Sequence, residues 1–125
     1  MKFRYARHTN NLDNLVNFYQ NIIGLETLGG FKDHNGYDGI FLGFPNQDWH
    51  MEFTYSNDKA THHPDRDDLV VFYLDSEEKI QAVISKAKQA DILPVASQNP
   101  YWNENGIELT DPDGFGVILT VTPSD

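Results

Sequence analysis

The stretch Leu69-Val70-Val71-Phe72-Tyr73-Leu74-Asp75-Ser76-Glu77-Glu78 restarts a pattern that the chain has already run once. Its unbroken apolar and aromatic part reads as a buried strand, and Asp75 and Ser76 are helix-cap candidates. Glu77 and Glu78 suit the positive end of a helix dipole, and Ile80, Val83, Ile84 and Ala87 recur at the spacing of one helical face. Beyond that helix, Ile92 to Ala96, Gly106 to Thr110 and Phe115 to Val121 read as three more strands. Asp111-Pro112-Asp113-Gly114 joins the last two.

Working back toward the N-terminus, Phe3 to His8 reads as a strand and Asn11 as the N-cap of a helix. Leu12, Leu15, Val16, Tyr19, Ile22 and Ile23 form its buried stripe, and Gly24 supplies the stop. Leu25 to Lys32, Tyr37 to Phe44 and Trp49 to Tyr55 then read as antiparallel strands. Asn35-Gly36 tolerates the positive φ of a type I′ hairpin, and Pro45-Asn46-Gln47-Asp48 marks a second turn. Both halves therefore run β-α-β-β-β: residues 1–55, a polar connector 56–67 containing Pro64, and residues 68–125. The class is α+β, and a single ferredoxin-like plait is the competing topology. Three strands after each helix favour the duplicated arrangement.

Composition narrows the function. A length of 125 residues with 39% hydrophobic and 13% aromatic content builds one ordinary domain core. The absence of cysteine excludes disulfides, thiolate zinc sites and a cysteine nucleophile. A formal charge of −10 repels nucleic acid and favours neutral or cationic small molecules. No stretch approaches the roughly 20 apolar residues of a membrane span, so the expected location is the cytoplasm. No Gly-rich phosphate loop, G-x-S-x-G elbow or nucleophile-base pairing is present.

Three segments together resemble the glyoxalase, bleomycin-resistance and extradiol-dioxygenase proteins, the vicinal oxygen chelate superfamily. They are Leu12 to Tyr19 leading into Ile23-Gly24-Leu25, then Glu52-Phe53-Thr54-Tyr55, then Asp111-Pro112-Asp113-Gly114-Phe115. The resemblance implies two βαβββ modules forming a cupped mixed sheet around a small-molecule cleft, and modules that pair within one chain or across a homodimer. It also implies a divalent metal on four strands, whose ligand positions fall here on Arg4, Glu52, Leu69 and Ile118. Of these only Glu52 can bind a metal, so the implied reading is a metal-free protein without cofactor.

His50 and Glu52 lie two apart on a predicted strand and share a face. With His8 they would make a displaced His-His-Glu triad, the basis for an enzyme reading: a lyase, isomerase or dioxygenase, or an acid-base catalyst using Glu52. Arg4 and Glu52 are expected to form an ion pair in place of the metal. His62-His63 reads as a solvated loop. Tyr101 and Trp102, placed in a loop by Asn99-Pro100, join Tyr73 and Glu52 as the expected lining of a site for a flat, neutral or cationic ligand.

Overall fold

Asn11 and Gly24 bracket the first helical segment as expected. In the computed structural model, which describes residues 1–123, the Asn11 side chain accepts from the Asn14 N–H. Gly24 closes the segment at φ 100°, a left-handed conformation that an L side chain rarely adopts. Between them, α1 (Leu12–Val16) widens into a π-helical stretch, Asn17–Ile23. The chain forms two compact units, Met1–Thr61 and one beginning at His62.

The first unit is a four-stranded mixed sheet of β1 (Phe3–His8), β2 (Glu26–His34), β3 (Tyr37–Gly43) and β4 (Trp49–Tyr55), in the order β1-β4-β3-β2. β1 runs parallel to β4 and the remaining pairs are antiparallel. Asn35 at φ 52° and Gly36 at φ 86° make the hairpin turn between β2 and β3. One sheet face is apolar: Leu42, Met51 and Phe53 are buried with Leu15, Phe18, Tyr19 and Ile22, and the Tyr19 and Phe53 rings stack at 5.1 Å. The other face carries Arg4 and His8 of β1 with His50 and Glu52 of β4, while Arg7 of β1 is buried on the apolar face with its guanidinium carbon 5.7 Å from the Phe53 ring centroid. Segment 56–60 is fastened to this unit through Asn10, which bonds both the N–H and the C=O of Ala60.

The second unit contains β5 (Leu69–Leu74), α2 (Glu77–Gln89), α3 (Pro100–Asn105), β6 (Ile107–Thr110) and β7 (Gly116–Val121). Its sheet has the order β5-β7-β6, with β5 parallel and β6 antiparallel to β7. Ser76 caps α2 by accepting from the Lys79 N–H. Asp111 organises the turn before β7, its Oδ1 accepting from the Asp113 and Phe115 N–H groups while Gly114 takes φ 94°.

Two expectations are corrected in this unit. The strand expected over Ile92 to Ala96 is reduced to one bridge, Val95 to Glu108, because Pro94 has no N–H to donate to a ladder. Tyr101 and Trp102 stand on the short helix α3, not in a loop: Asn99 caps it by accepting from the Tyr101 N–H, and Pro100 takes its first turn.

Candidate ligand-binding site

Strand register decides which candidate residues meet. Arg4 pairs with His50, Ala6 with Glu52 and His8 with Thr54, so these six side chains share the face opposite the helix. Glu52 also lies opposite Phe41 on β3. Arg4 is the centre of this group. Its Nε–H donates to His50 Nε2 at 2.9 Å, Nη1 stands 3.7 Å from Glu52 Oε1, and the guanidinium carbon lies 5.1 Å from the Phe41 ring centroid. His50 closes the cluster edge-on to Phe41 at 5.6 Å.

The electrostatics follow from that geometry. A ring nitrogen that accepts a hydrogen bond from a guanidinium must be unprotonated, so His50 is neutral with its proton on Nδ1. Its pKa is lowered from the ordinary 6.5, first by desolvation and then by the positive charges of Arg4 and Lys2, with Glu52 acting in the opposite direction. The expected Arg4–Glu52 ion pair forms at 3.7 Å, at a place open to solvent. The side chains are 51% and 15% exposed, so solvent screens the pair and its loss costs little.

His8 does not join His50 and Glu52. Its ring bonds Thr54 Oγ1 at 2.8 Å, Ser56 Oγ at 3.0 Å and the Asp58 carbonyl at 3.0 Å, fastening the connector to β1 and β4. The displaced triad is thereby corrected: among the described residues, no group of three His, Cys, Asp or Glu side chains is placed to hold a metal. His62 departs from the solvated reading as well, being half-buried with its ring edge-on to Phe115 at 5.6 Å.

The second unit repeats the register with different chemistry. Leu69 pairs with Gly116 and Val71 with Ile118, the positions that Arg4–His50 and Ala6–Glu52 take in the first unit. Leu69 leans over Gly116, where a Cβ would lie 2.6 Å from its Cδ2, and Ile118 is fully buried. The donor set therefore does not fit a divalent metal: one carboxylate beside a guanidinium in one unit, and hydrocarbon at both equivalent positions in the other.

Tyr73, Tyr101 and Trp102 line one cavity of the second unit, of about 550 Å³, together with Glu77, Glu104 and Ile80. Glu52 belongs to the first unit's β4 and takes no part in that lining. Tyr101 and Trp102 meet edge to face at 4.8 Å. Gly106 closes α3 beside Trp102, where a Cβ would stand 2.9 Å from Ile118 Cγ2 and 3.0 Å from the Leu119 carbonyl oxygen.

Sequence reasoning missed Glu108, a carboxylate only 4% exposed that accepts from Ser97 Oγ at 2.8 Å. Ser97 is fixed in turn by two hydrogen bonds with the Asn103 amide. The alternation Ile107-Glu108-Leu109-Thr110 places Glu108 away from the Leu109 side, a pattern shared by any solvent-facing glutamate. Phe31 and Phe41 were missed too.

Residues 3–54 match the YycE-like N-terminal domain and residues 67–121 the YycE-like C-terminal domain. Over 119 residues the chain is 39% identical to YycE, an uncharacterized protein of Bacillus subtilis (strain 168), covering 94% of this chain and 86% of that one. The chain belongs to the YycE-like family. A solved structure of a YycE protein of unknown function from Bacillus subtilis, a candidate glyoxalase/fosfomycin resistance protein, matches with a TM-score of 0.89 at 37% identity, over 99% of this chain and 91% of that one. The trypanothione-dependent glyoxalase I of Leishmania major matches this YycE-like chain with a TM-score of 0.73 at 16% identity, over 94% and 84% of the two chains. TnmS3, an antibiotic binding protein from Streptomyces sp. CB03234, gives 0.69 at 12% identity, over 98% and 96%. At such identities the last two show the fold alone. The YycE-like chain is thus a vicinal oxygen chelate protein, α+β with two mixed sheets. No helix among its described residues is long and apolar enough to cross a membrane.

Proposed function

We propose that this protein is a metal-free small-molecule binding protein of the glyoxalase and bleomycin-resistance kind, acting by holding its ligand rather than by transforming it. The observation that carries this reading is the Arg4 guanidinium, 2.9 Å from His50 and 3.7 Å from Glu52, where the superfamily resemblance calls for metal ligands. Leu69 and Ile118 at the equivalent positions support it, since neither can contribute a ligand atom. An acid-base enzyme built on His50 and Glu52 fits less well. His50 Nε2 is already committed to Arg4, so it can take a proton only by breaking that bond.

The ligand we propose is a neutral or cationic molecule with a flat ring, bound in the second unit's cavity. Its volume of about 550 Å³ lies within the roughly 300–1,000 Å³ of small-molecule sites. Tyr73, Tyr101 and Trp102 offer aromatic faces, each worth roughly 0.5–2 kcal/mol to a cation, and Glu77 and Glu104 offer the counter-charge. Quenching of tryptophan fluorescence by N-methylquinolinium tests this. Saturable quenching that weakens in Trp102→Ala is the expected result. Equal binding by Trp102→Ala, or turnover of a glutathione hemithioacetal in a glyoxalase I assay with added nickel or zinc, overturns the reading.

A further inference from the structure

Arg4 has more hydrogen-bonding capacity than its neighbours use. A guanidinium carries five N–H donors in a planar fork, and His50 accepts the one on Nε. Glu52 stands within ion-pair range of Nη1, but at 3.7 Å it is beyond a hydrogen bond. The N–H groups of Nη1 and Nη2 therefore bond to no described residue, on a side chain that is half exposed. The Nε bond and the Phe41 ring meanwhile hold the guanidinium plane in place, so little side-chain entropy is left to lose when a ligand engages the outer edge.

Beside that edge lies an aromatic floor. Phe41 and Phe31 are 6.0 Å apart, both part-exposed, and the Phe31 ring occupies the space over Gly39, where a Cβ would be 2.3 Å from its Cζ. Only glycine at position 39 lets the ring lie so close to the sheet. Charge on this face favours an anion. Arg4 and Lys2 are positive, His50 is held neutral, and Glu52 offsets one of the two cations. The acidic total of the chain matters less, because charges beyond about 8 Å are screened at physiological salt.

We propose that the Nη1–Nη2 edge of Arg4 is a binding site for the carboxylate of a planar aromatic acid, the oxygens taken by the fork and the ring lying along Phe41 and Phe31. This goes beyond the ligand proposed for the second unit's cavity, being a different site of opposite charge preference. A carboxylate matches the spacing of the guanidinium fork and gains two charge-assisted hydrogen bonds, whereas Lys offers a point charge without that geometry.

The test uses the full chain and sodium benzoate, at constant ionic strength, with benzamidinium as a cation of the same shape. NMR follows the Arg4 Nε–H and the His50 ring during titration. Benzoate is expected to give saturable shifts and benzamidinium none. Arg4→Gln is expected to weaken benzoate at least about tenfold, as loss of a charge-assisted pair does. Arg4→Lys keeps the charge and loses the fork; it is expected to weaken benzoate to a similar extent and serves if Arg4→Gln does not fold. Trp102→Ala is expected to leave benzoate binding unchanged, which separates this site from the cavity: failure of N-methylquinolinium quenching leaves it standing. Shifts that grow linearly without saturating, benzoate affinity retained in Arg4→Lys or Arg4→Gln, or its loss in Trp102→Ala overturns the proposal.

Discussion

Arg4 donates its Nε–H to His50 Nε2 across the parallel pairing of β1 with β4, at 2.9 Å, and this bond makes the charge state of His50 a structural property. Protonating His50 would set two cations face to face. The lowered pKa expresses that cost together with partial desolvation, which is its larger cause. We expect His50 to titrate below the ordinary 6.5 by NMR, and the midpoint to move up toward that value in Arg4→Gln. The linked stability has a definite sign. Well above pH 6.5 the residue is neutral in both folded and unfolded chains and contributes no pH dependence. As pH falls below that value the unfolded chain takes up the proton first, so stability decreases until the lowered folded pKa is passed and is flat beyond it. A His50 midpoint at or above the ordinary value would contradict the hydrogen bond's direction.

The Arg4–Glu52 contact stabilises the fold only slightly despite its place at the centre of the cluster. With the Arg4 side chain 51% exposed, Arg4→Gln should cost less than about 1 kcal/mol in urea unfolding. A loss of several kcal/mol would mean that Glu52 is left as an uncompensated buried charge.

Phe53 has the opposite balance. It is fully buried and its ring stacks on Tyr19 at 5.1 Å, so Phe53→Ala should destabilise by about 3–5 kcal/mol. Denaturant unfolding measures this, and a cost below about 1 kcal/mol would contradict the packing of helix on sheet.

Gly39 and Phe31 should behave as a coupled pair. A methyl at position 39 meets the Phe31 ring at 2.3 Å, and the part-exposed ring must move aside, so Gly39→Ala is expected to destabilise by about 1 kcal/mol, the low end of an overpacking cost. In a Phe31→Ala background the same substitution should be nearly neutral. Additive effects in this double-mutant cycle would show that the ring does not lie over Gly39.

Much of the architecture was legible because periodicity and turn chemistry are local. The six residues from Phe3 to His8, the strand Trp49–Tyr55 and the strand Leu69–Leu74 follow from runs of apolar and aromatic residues, and Asn35-Gly36 and Asp111-Pro112-Asp113-Gly114 mark their own turns. Where local signals competed, the reading slipped. Val95 and Ala96 look like strand residues, yet Pro94 leaves a single bridge, and the cap made by Asn99 with Pro100 begins a helix where the local pattern predicts a loop. The site was legible only in part. Alternation put His50 and Glu52 on one face and the superfamily resemblance set Arg4 beside Glu52, but the hydrogen bond from Arg4 to His50 spans 46 positions and depends on a parallel register that no local pattern encodes. The same holds for Phe41 opposite Glu52, and for Ser97 on Glu108.

The central claim is that a guanidinium, not a divalent metal, stands between His50 and Glu52. Elemental analysis by inductively coupled plasma mass spectrometry, on protein purified without chelator and dialysed against metal-free buffer, tests it most directly. The account predicts far less than one equivalent of nickel, zinc, manganese or iron per chain, and the same trace content in Glu52→Gln. One equivalent of a divalent metal, lost on changing Glu52 to Gln, would contradict it.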